Sequence, residues 1–346
     1  MADSILRSPY PYFDAKRMIM PDVWVRLGGV RNFIDPFIGS GASLWGRPEP
    51  FEGVETVNDL DGFIPNLLRA IQGDPDMVAR YADWPVIEAD LHARHQWLVN
   101  HRSMVEKLID DPEWFDAKIA GWWVWGISCW LGSGWCKRPA ESTGKMTRKK
   151  PILQHAAHGV HRRQKTSGTQ RTKPVLERAA RGIHRQNHGP DTQLITTDRT
   201  KPFLHGSGLG IHSDNGRSGR LGLAEYLNEL SARLNNVRVL CGDWRRVLTP
   251  SVISDRGITA IFLDPPYAIE EYSKRLYAID SDVSRDVRAW ALEHGDDPML
   301  RIALCGFDSE HDNAIPDTWE RLRWKSSGSM RRSDEDGKRE MHNAVR

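Results

Sequence analysis

Apolar runs along the chain alternate between two periods. "VRNFID" (30–35), "FEGVETVND" (51–59), "VRVLCGD" (237–243), "TAIFLD" (259–264) and "MLRIALCGF" (299–307) are short and rich in branched and aromatic residues, and the first four close on Asp. That is the signature of buried strands. Between them lie stretches with apolar residues at helical spacing: 16–29, 62–72, 86–110, 113–131, 221–234 and 282–294. In 221–234, Leu223, Leu227, Leu230 and Leu234 fall on one stripe. "WERLRW" (319–324) reads as an outer strand, and the charged residues after it read as loose. Strands alternating with helices predict an open, largely parallel α/β sheet. Such sheets bind ligands beyond the carboxyl ends of their strands.

Periodicity fails from Gly132 to Gly219, where Arg, Lys, His, Gly, Ser and Thr dominate. Net charge over the whole chain is only +2, but residues 137–220 hold 18 Lys+Arg against 5 Asp+Glu, and the rest holds 30 against 41. A basic insert in an acidic body predicts a polyanionic partner met at one place, although a solvated loop has the same composition. "TRKKP", "HRRQK" and "RAARGIHRQ" supply candidate phosphate contacts at Arg148, Lys149, Lys150, Arg162, Arg163, Lys165, Arg181 and Arg185. The spacing of His155, His158 and His161 invites a metal, but no fourth ligand accompanies them, so none is expected.

Four scattered cysteines without a CxxC predict reduced thiols and a cytoplasmic setting. The first residues have no apolar stretch of the secretory kind. Ile119 to Cys136 is uncharged for 18 residues, but its four Gly and five Trp suit a buried helix with a Gly-rich exit rather than a membrane span.

Four motifs fall at predicted strand ends. "DPFIGSGA" (35–42) lets the backbone turn tightly at Gly39 and Gly41, with Asp35, Pro36 and Phe37 before them. A plain strand–helix turn has the same local sequence. Asp59, 18 residues beyond Gly41 at the end of the next strand, has the position of an acid that accepts from ribose hydroxyls. The third glycine of a dinucleotide fingerprint is replaced by Leu44, which favours a ligand without a pyrophosphate. "CGDW" (241–244) offers Asp243 to an amine and Trp244 as a stacking face, or a helix cap with a packed indole. "DPPY" (264–267) is the most specific. Pro265 and Pro266 stiffen the chain and leave carbonyls to accept. Asp264 and the Pro265 carbonyl can each take an amine hydrogen, and Tyr267 can stack on a base.

"SPYPYFDAK" (8–16), "FIDPFIGSGA" (33–42), "VNDLDGFIPNLLRAI" (57–71), "VLCGDW" (239–244) and "FLDPPY" (262–267) resemble the Dam-like N6-adenine-specific DNA methyltransferases, phage-encoded ones most of all. The resemblance covers roughly 1–72 and 235–325. It implies a Rossmann-like class I fold, S-adenosylmethionine as methyl donor and a flipped adenine in double-stranded DNA as acceptor. By the same resemblance Lys16, Asp35, Pro36, Phe37, Gly39, Gly41, Asp59, Asp243 and Trp244 hold the cofactor, while Asp264, Pro265, Pro266 and Tyr267 hold the adenine. Residues 73–136 would then be the helical part of an inserted lobe and 137–220 the target-recognition segment, with 221–234 returning to the catalytic domain and 326–346 as a charged tail, in which 338–346 would be an abbreviated form of the strand that closes the family's sheet. Asp rather than Ser before "PPY" favours adenine N6 over cytosine N4. None of the four cysteines follows a proline, which disfavours cytosine C5 chemistry. Adenine in RNA, or DNA binding without turnover, are the competing implications.

Overall fold

A computed structural model describes residues 6–11, 16–48, 51–130, 135–136, 222–253, 257–266, 283–307, 314–324 and 341–345. All of them belong to one unit, built from 1–137 and 198–346. Its centre is a seven-stranded sheet: β1 (Asn32–Asp35), β2 (Val54–Asp59), β3 (Val237–Cys241), β4 (Thr259–Leu263), β5 (Leu300–Phe307), β6 (Glu320–Trp324) and β7 (Met341–Val345), in the order β3-β2-β1-β4-β5-β7-β6. The first five run parallel. β7 is antiparallel to both β5 and β6, with Ala303 opposite Val345 and Glu320 opposite Val345. The expectation that the chain beyond Trp324 is loose is corrected here: five of its residues form the strand next to the sheet's edge, inserted between β5 and β6, and their ladder bonds come from position, not from apolar patterning.

The inner parallel strands β1 and β4 are buried on both faces, which is why they read as continuous apolar runs, whereas β3 at the edge alternates buried and exposed residues. Phe33, Ala260, Phe262, Ala303 and Cys305 face α1 (Met20–Leu27) through Met20, Val23, Trp24 and Leu27. Ile34, Ile261, Leu263, Ile302 and Leu304 face the opposite side with Val287 and Ala291 of a helix at Val283–His294. A third cluster joins Val57, Val237 and Val239 to α3 (Phe63–Gly73), α4 (Pro75–Ala82), α7 (Ala117–Cys129) and α8 (Leu223–Leu234). α2 (Ala42–Trp45), α5 (Glu88–Asn100), α6 (Met104–Asp110), α9 (Pro250–Ile253) and α10 (Val283–His294) complete the helices of the described residues.

The predicted helix over 86–110 is two, α5 and α6, and α4 was hidden because Pro75 starts a new helix directly after α3, with Asp74 capping the Met77 amide at 3.1 Å. The uncharged tryptophan run forms α7 and packs on α3 and α4 with Trp123 and Trp125 buried. Buried Arg94 lays its guanidinium over Trp84, Trp122 and Trp125 at 5.0, 4.9 and 4.4 Å, a cation–π arrangement that includes two rings of this run. Among the described residues no helix is long and apolar enough to cross a membrane.

One buried ion cluster ties three elements together. Glu55 on β2 accepts from Arg233 of α8 through both oxygens at 2.8 Å and pairs with Arg47 Nε at 2.8 Å. Arg233 also donates to the Leu44 carbonyl, 2.8 Å. Replacing Glu55 with Ala leaves two sheltered guanidiniums without their acid. We expect Glu55→Ala to cost about 3–5 kcal/mol in urea unfolding; a loss under about 1 kcal/mol would mean the arginines find water instead.

Candidate functional site

Sheet order reverses at β1, which has β2 on one side and β4 on the other. That is the switch point at which open α/β sheets form a crevice beyond their strand ends. Register there brings distant residues together: Phe33 pairs with Ala260 and Ile34 with Ile261. Side chains alternate along a strand, so Asp35 shares a face with Phe33, and Asp264 continues the face of Phe262.

Asp35 closes β1 and is buried. Its Oδ1 accepts from the Phe37 amide at 3.0 Å, folding the chain back, and its Oδ2 accepts from the Ser43 hydroxyl. Asp264 follows β4 directly. Lys16, in a 3₁₀ turn at Lys16–Met18 ahead of α1, reaches across to it, Nζ to Oδ2 at 2.6 Å. Pro265 is buried and Pro266 half-buried.

Asn58 joins the loops. Its Nδ2 donates to the Pro36 carbonyl at 3.0 Å and to the Gly242 carbonyl at 2.9 Å, and its own carbonyl accepts from the Ile38 amide at 3.0 Å. The ends of β1, β2 and β3 are thereby held by one buried amide. Asp59, next in sequence, accepts from the Gly39 amide at 3.1 Å and from the Asp61 amide at 2.8 Å. Tyr10 grips the other side of the same glycine, its hydroxyl donating to the Gly39 carbonyl. Gly39 is therefore fixed at both N–H and C=O.

Gly41 has φ +71°, and a Cβ there would lie 2.4 Å from the Trp45 indole nitrogen, which donates to the Ser40 carbonyl at 3.1 Å. The loop needs glycine there both for its backbone and for the indole. The helical restart after it, α2, is a single turn. Phe37 is half-buried, its ring 6.2 Å from that of Trp244.

The "CGDW" corner adopts the cap arrangement. Exposed Asp243 accepts from the Arg245 amide at 2.9 Å and pairs with the Arg245 guanidinium, which also bonds Asp286 at 2.6 Å. Trp244 packs in the core with Val247, Leu248 and Ile261, under the Arg245 guanidinium at 4.7 Å.

No protein-family model and no curated protein matches this chain.

Of the sequence-derived site residues, the structure brings Lys16, Asp35, Pro36, Phe37, Gly39, Gly41, Asp59, Asp264, Pro265 and Pro266 to the ends of β1, β2 and β4. Asp243 and Trp244 stand at the end of β3. Tyr267 and the basic residues Arg148, Lys149, Lys150, Arg162, Arg163, Lys165, Arg181 and Arg185 lie outside the described residues. Sequence reasoning did not single out Tyr10 or Ser43 as site residues, and it placed Asn58 with Asp59 at a strand end without giving it a role. Tyr10 sits in the quoted "SPYPY" and Asn58 beside Asp59, but only the hydrogen bonds across the fold reveal what they hold.

The site is acidic and sheltered. Burial pushes the Asp35 carboxyl up to about 7, against the hydrogen bonds from Ser43 and Phe37, with the Asp264 charge adding to the rise. Burial and the neighbouring Asp61 push Asp59 up to about 7 as well. Burial also raises the Tyr10 phenol, with Asp59 and Asp61 adding to it. Between the ordinary 3.8 and about 7 the folded protein holds protons that the unfolded chain has released. Folding stability from these two groups therefore falls as pH rises through that window and levels off above it. The loss of unfolding free energy from about pH 5 to about pH 8 should be smaller in the Asp35→Asn/Asp59→Asn protein than in the wild type. Parallel profiles would show that neither carboxyl carries a raised pKa.

Proposed function

We propose that this protein transfers the methyl group of S-adenosylmethionine to the N6 amine of an adenine turned out of double-stranded DNA. One observation carries the reading. The glycine loop after β1 and the Asp264-Pro265-Pro266 segment after β4, more than two hundred residues apart in the chain, share the crevice at the sheet's switch point. The antiparallel strand between β5 and β6, drawn from the chain beyond Trp324, supports the reading, because the methyltransferase resemblance implies a closing strand within 338–346.

The donor set fits the cofactor. Each Asp59 oxygen accepts one backbone amide, and a carboxylate oxygen has a second lone pair for a ribose hydroxyl. Burial and the Asp61 charge raise the Asp59 carboxyl, and two ribose hydroxyls donating to it would favour its charged form. Phe37 offers an apolar edge at the mouth. S-adenosylmethionine supplies an electrophilic methyl on a sulfonium that leaves as a neutral thioether when an amine lone pair takes the methyl.

The rest is positioning by the chain. An adenine amine is a poor nucleophile because its lone pair is delocalised into the ring. Asp264 accepts one N–H and the Pro265 carbonyl the other, drawing the nitrogen toward tetrahedral geometry. Pro265 has no N–H and a fixed φ, so its carbonyl keeps its aim. The Asp264 carboxylate takes up, or passes to water, the single proton that the amine sheds. Tyr267, by the resemblance, stacks on the base, and the basic segment 137–220 meets phosphates.

The test is tritium transfer from labelled S-adenosylmethionine to DNA, with the methylated base identified by mass spectrometry. Asp264→Ala should slow transfer about 10²–10³-fold with cofactor affinity kept. Asp59→Ala should weaken cofactor binding by about 1.5–3 kcal/mol in calorimetry, the scale of a charge-assisted hydrogen bond. Transfer to RNA alone, or to cytosine, would overturn the reading.

A further inference from the structure

Lys16 is 4% exposed, an unusual place for an ammonium. Taking it from water costs several kcal/mol unless a counter-charge replaces its hydration. Asp264 provides that charge at 2.6 Å. Both partners stand on fixed frames. The Lys16 carbonyl accepts from the Ile19 amide at 3.0 Å, and α1 behind it is anchored by buried Met20, Val23, Trp24 and Leu27 and by the Trp24 indole donating to the Ser43 carbonyl at 2.9 Å. Asp264 is set by β4 on one side and buried Pro265 on the other. A pair between two rigid frames is preorganised, unlike exposed ion pairs between mobile side chains.

A third charge decides what the pair does. Asp35 lies near enough to Asp264 for the two carboxylates to repel. Two acids in one sheltered place share a proton unless a cation stands beside them. A protonated Asp264 would present a donor where the adenine amine needs an acceptor.

We propose that Lys16 is a positioning residue for Asp264: its ammonium grips Oδ2, keeps the carboxylate ionised and sets the direction of its other oxygen toward the acceptor amine. This rests on the methyl-transfer reading above, and it departs from the cofactor-holding role that the resemblance implies for Lys16. The consequence is a split in kinetics. Loss of Lys16 strikes the transfer rate, and loss of Asp59 strikes cofactor affinity.

The experiment compares Lys16→Met with wild type for calorimetric S-adenosylmethionine affinity and for single-turnover methyl transfer. The rate should fall about 10- to 10²-fold, the cost of a misplaced group, with the cofactor Kd within about 3-fold. Lys16→Met leaves a half-buried acid without the Lys16 cation, so Lys16→Met/Asp264→Asn, which removes both charges together, accompanies it. The double variant should be no slower than Asp264→Asn alone. An unchanged rate in Lys16→Met, a cofactor Kd that weakens as much as the rate falls, or a further slowing of Asp264→Asn by Lys16→Met each overturns the assignment. A wild-type protein that binds no S-adenosylmethionine overturns the methyl-transfer reading and this one with it. An active wild type with a fully active Lys16→Met overturns this one alone.

Discussion

Two carboxylates that repel each other, Asp35 and Asp264, stand at the ends of adjacent parallel strands, and the edge of the sheet is organised around them. Charge in a sheltered place must be matched by donors, cations or protons. This protein uses all three. Ser43 and the Phe37 amide serve Asp35, Lys16 serves Asp264, and a raised pKa leaves Asp35 holding a proton over part of the neutral range. Each donor comes from a different element, so satisfying the acids also fixes the glycine loop, the turn before α1 and the end of β4 relative to one another.

Backbone polar groups are treated in the same way. Asn58 spends its amide on the Pro36 and Gly242 carbonyls, and Asp59 and Tyr10 hold opposite ends of Gly39. Loops at strand ends ordinarily move more than the strands they join. Here the loops after β1 and β2 are cross-linked to each other and to the segment around Tyr10, which is itself tied to α8 by Tyr226 bonding both the amide and the carbonyl of Arg7. A crevice with its walls fixed beforehand suits a reaction in which placement supplies most of the rate.

Local pattern made the five parallel strands legible, because burial writes an apolar run that ends where the sheet ends. The acids at those ends were legible for the same reason: Asp35, Asp59 and Asp264 interrupt apolar strands at the point where solvent or ligand begins. The Lys16–Asp264 pair was not, since it links residues about 250 apart and only the packing of α1 and the turn before it on the sheet brings them together. Tyr10 and Asn58 look like ordinary polar residues until their partners are seen. Strand β7 had no pattern of its own in a highly charged stretch, and only the resemblance pointed to 338–346; α4 was missed because Pro75 punctuates a helical stretch and starts a new helix. At Asp243 and Trp244 the local sequence allowed a cap or a ligand contact, and the geometry has the side chains of a cap.

The placement of β7 also orders events in time. Among the described residues β6 is hydrogen-bonded into the sheet only through β7, and β7 is the later of the two in the chain. While the protein is being made, β5 must therefore wait with one edge bare, and β6 must stay undocked, until a wedge of five residues arrives to fill the gap. An apolar parallel strand with an open edge is a template for wrong partners. The closing of this sheet is a race between the arrival of its own missing rung and capture by another molecule's strand.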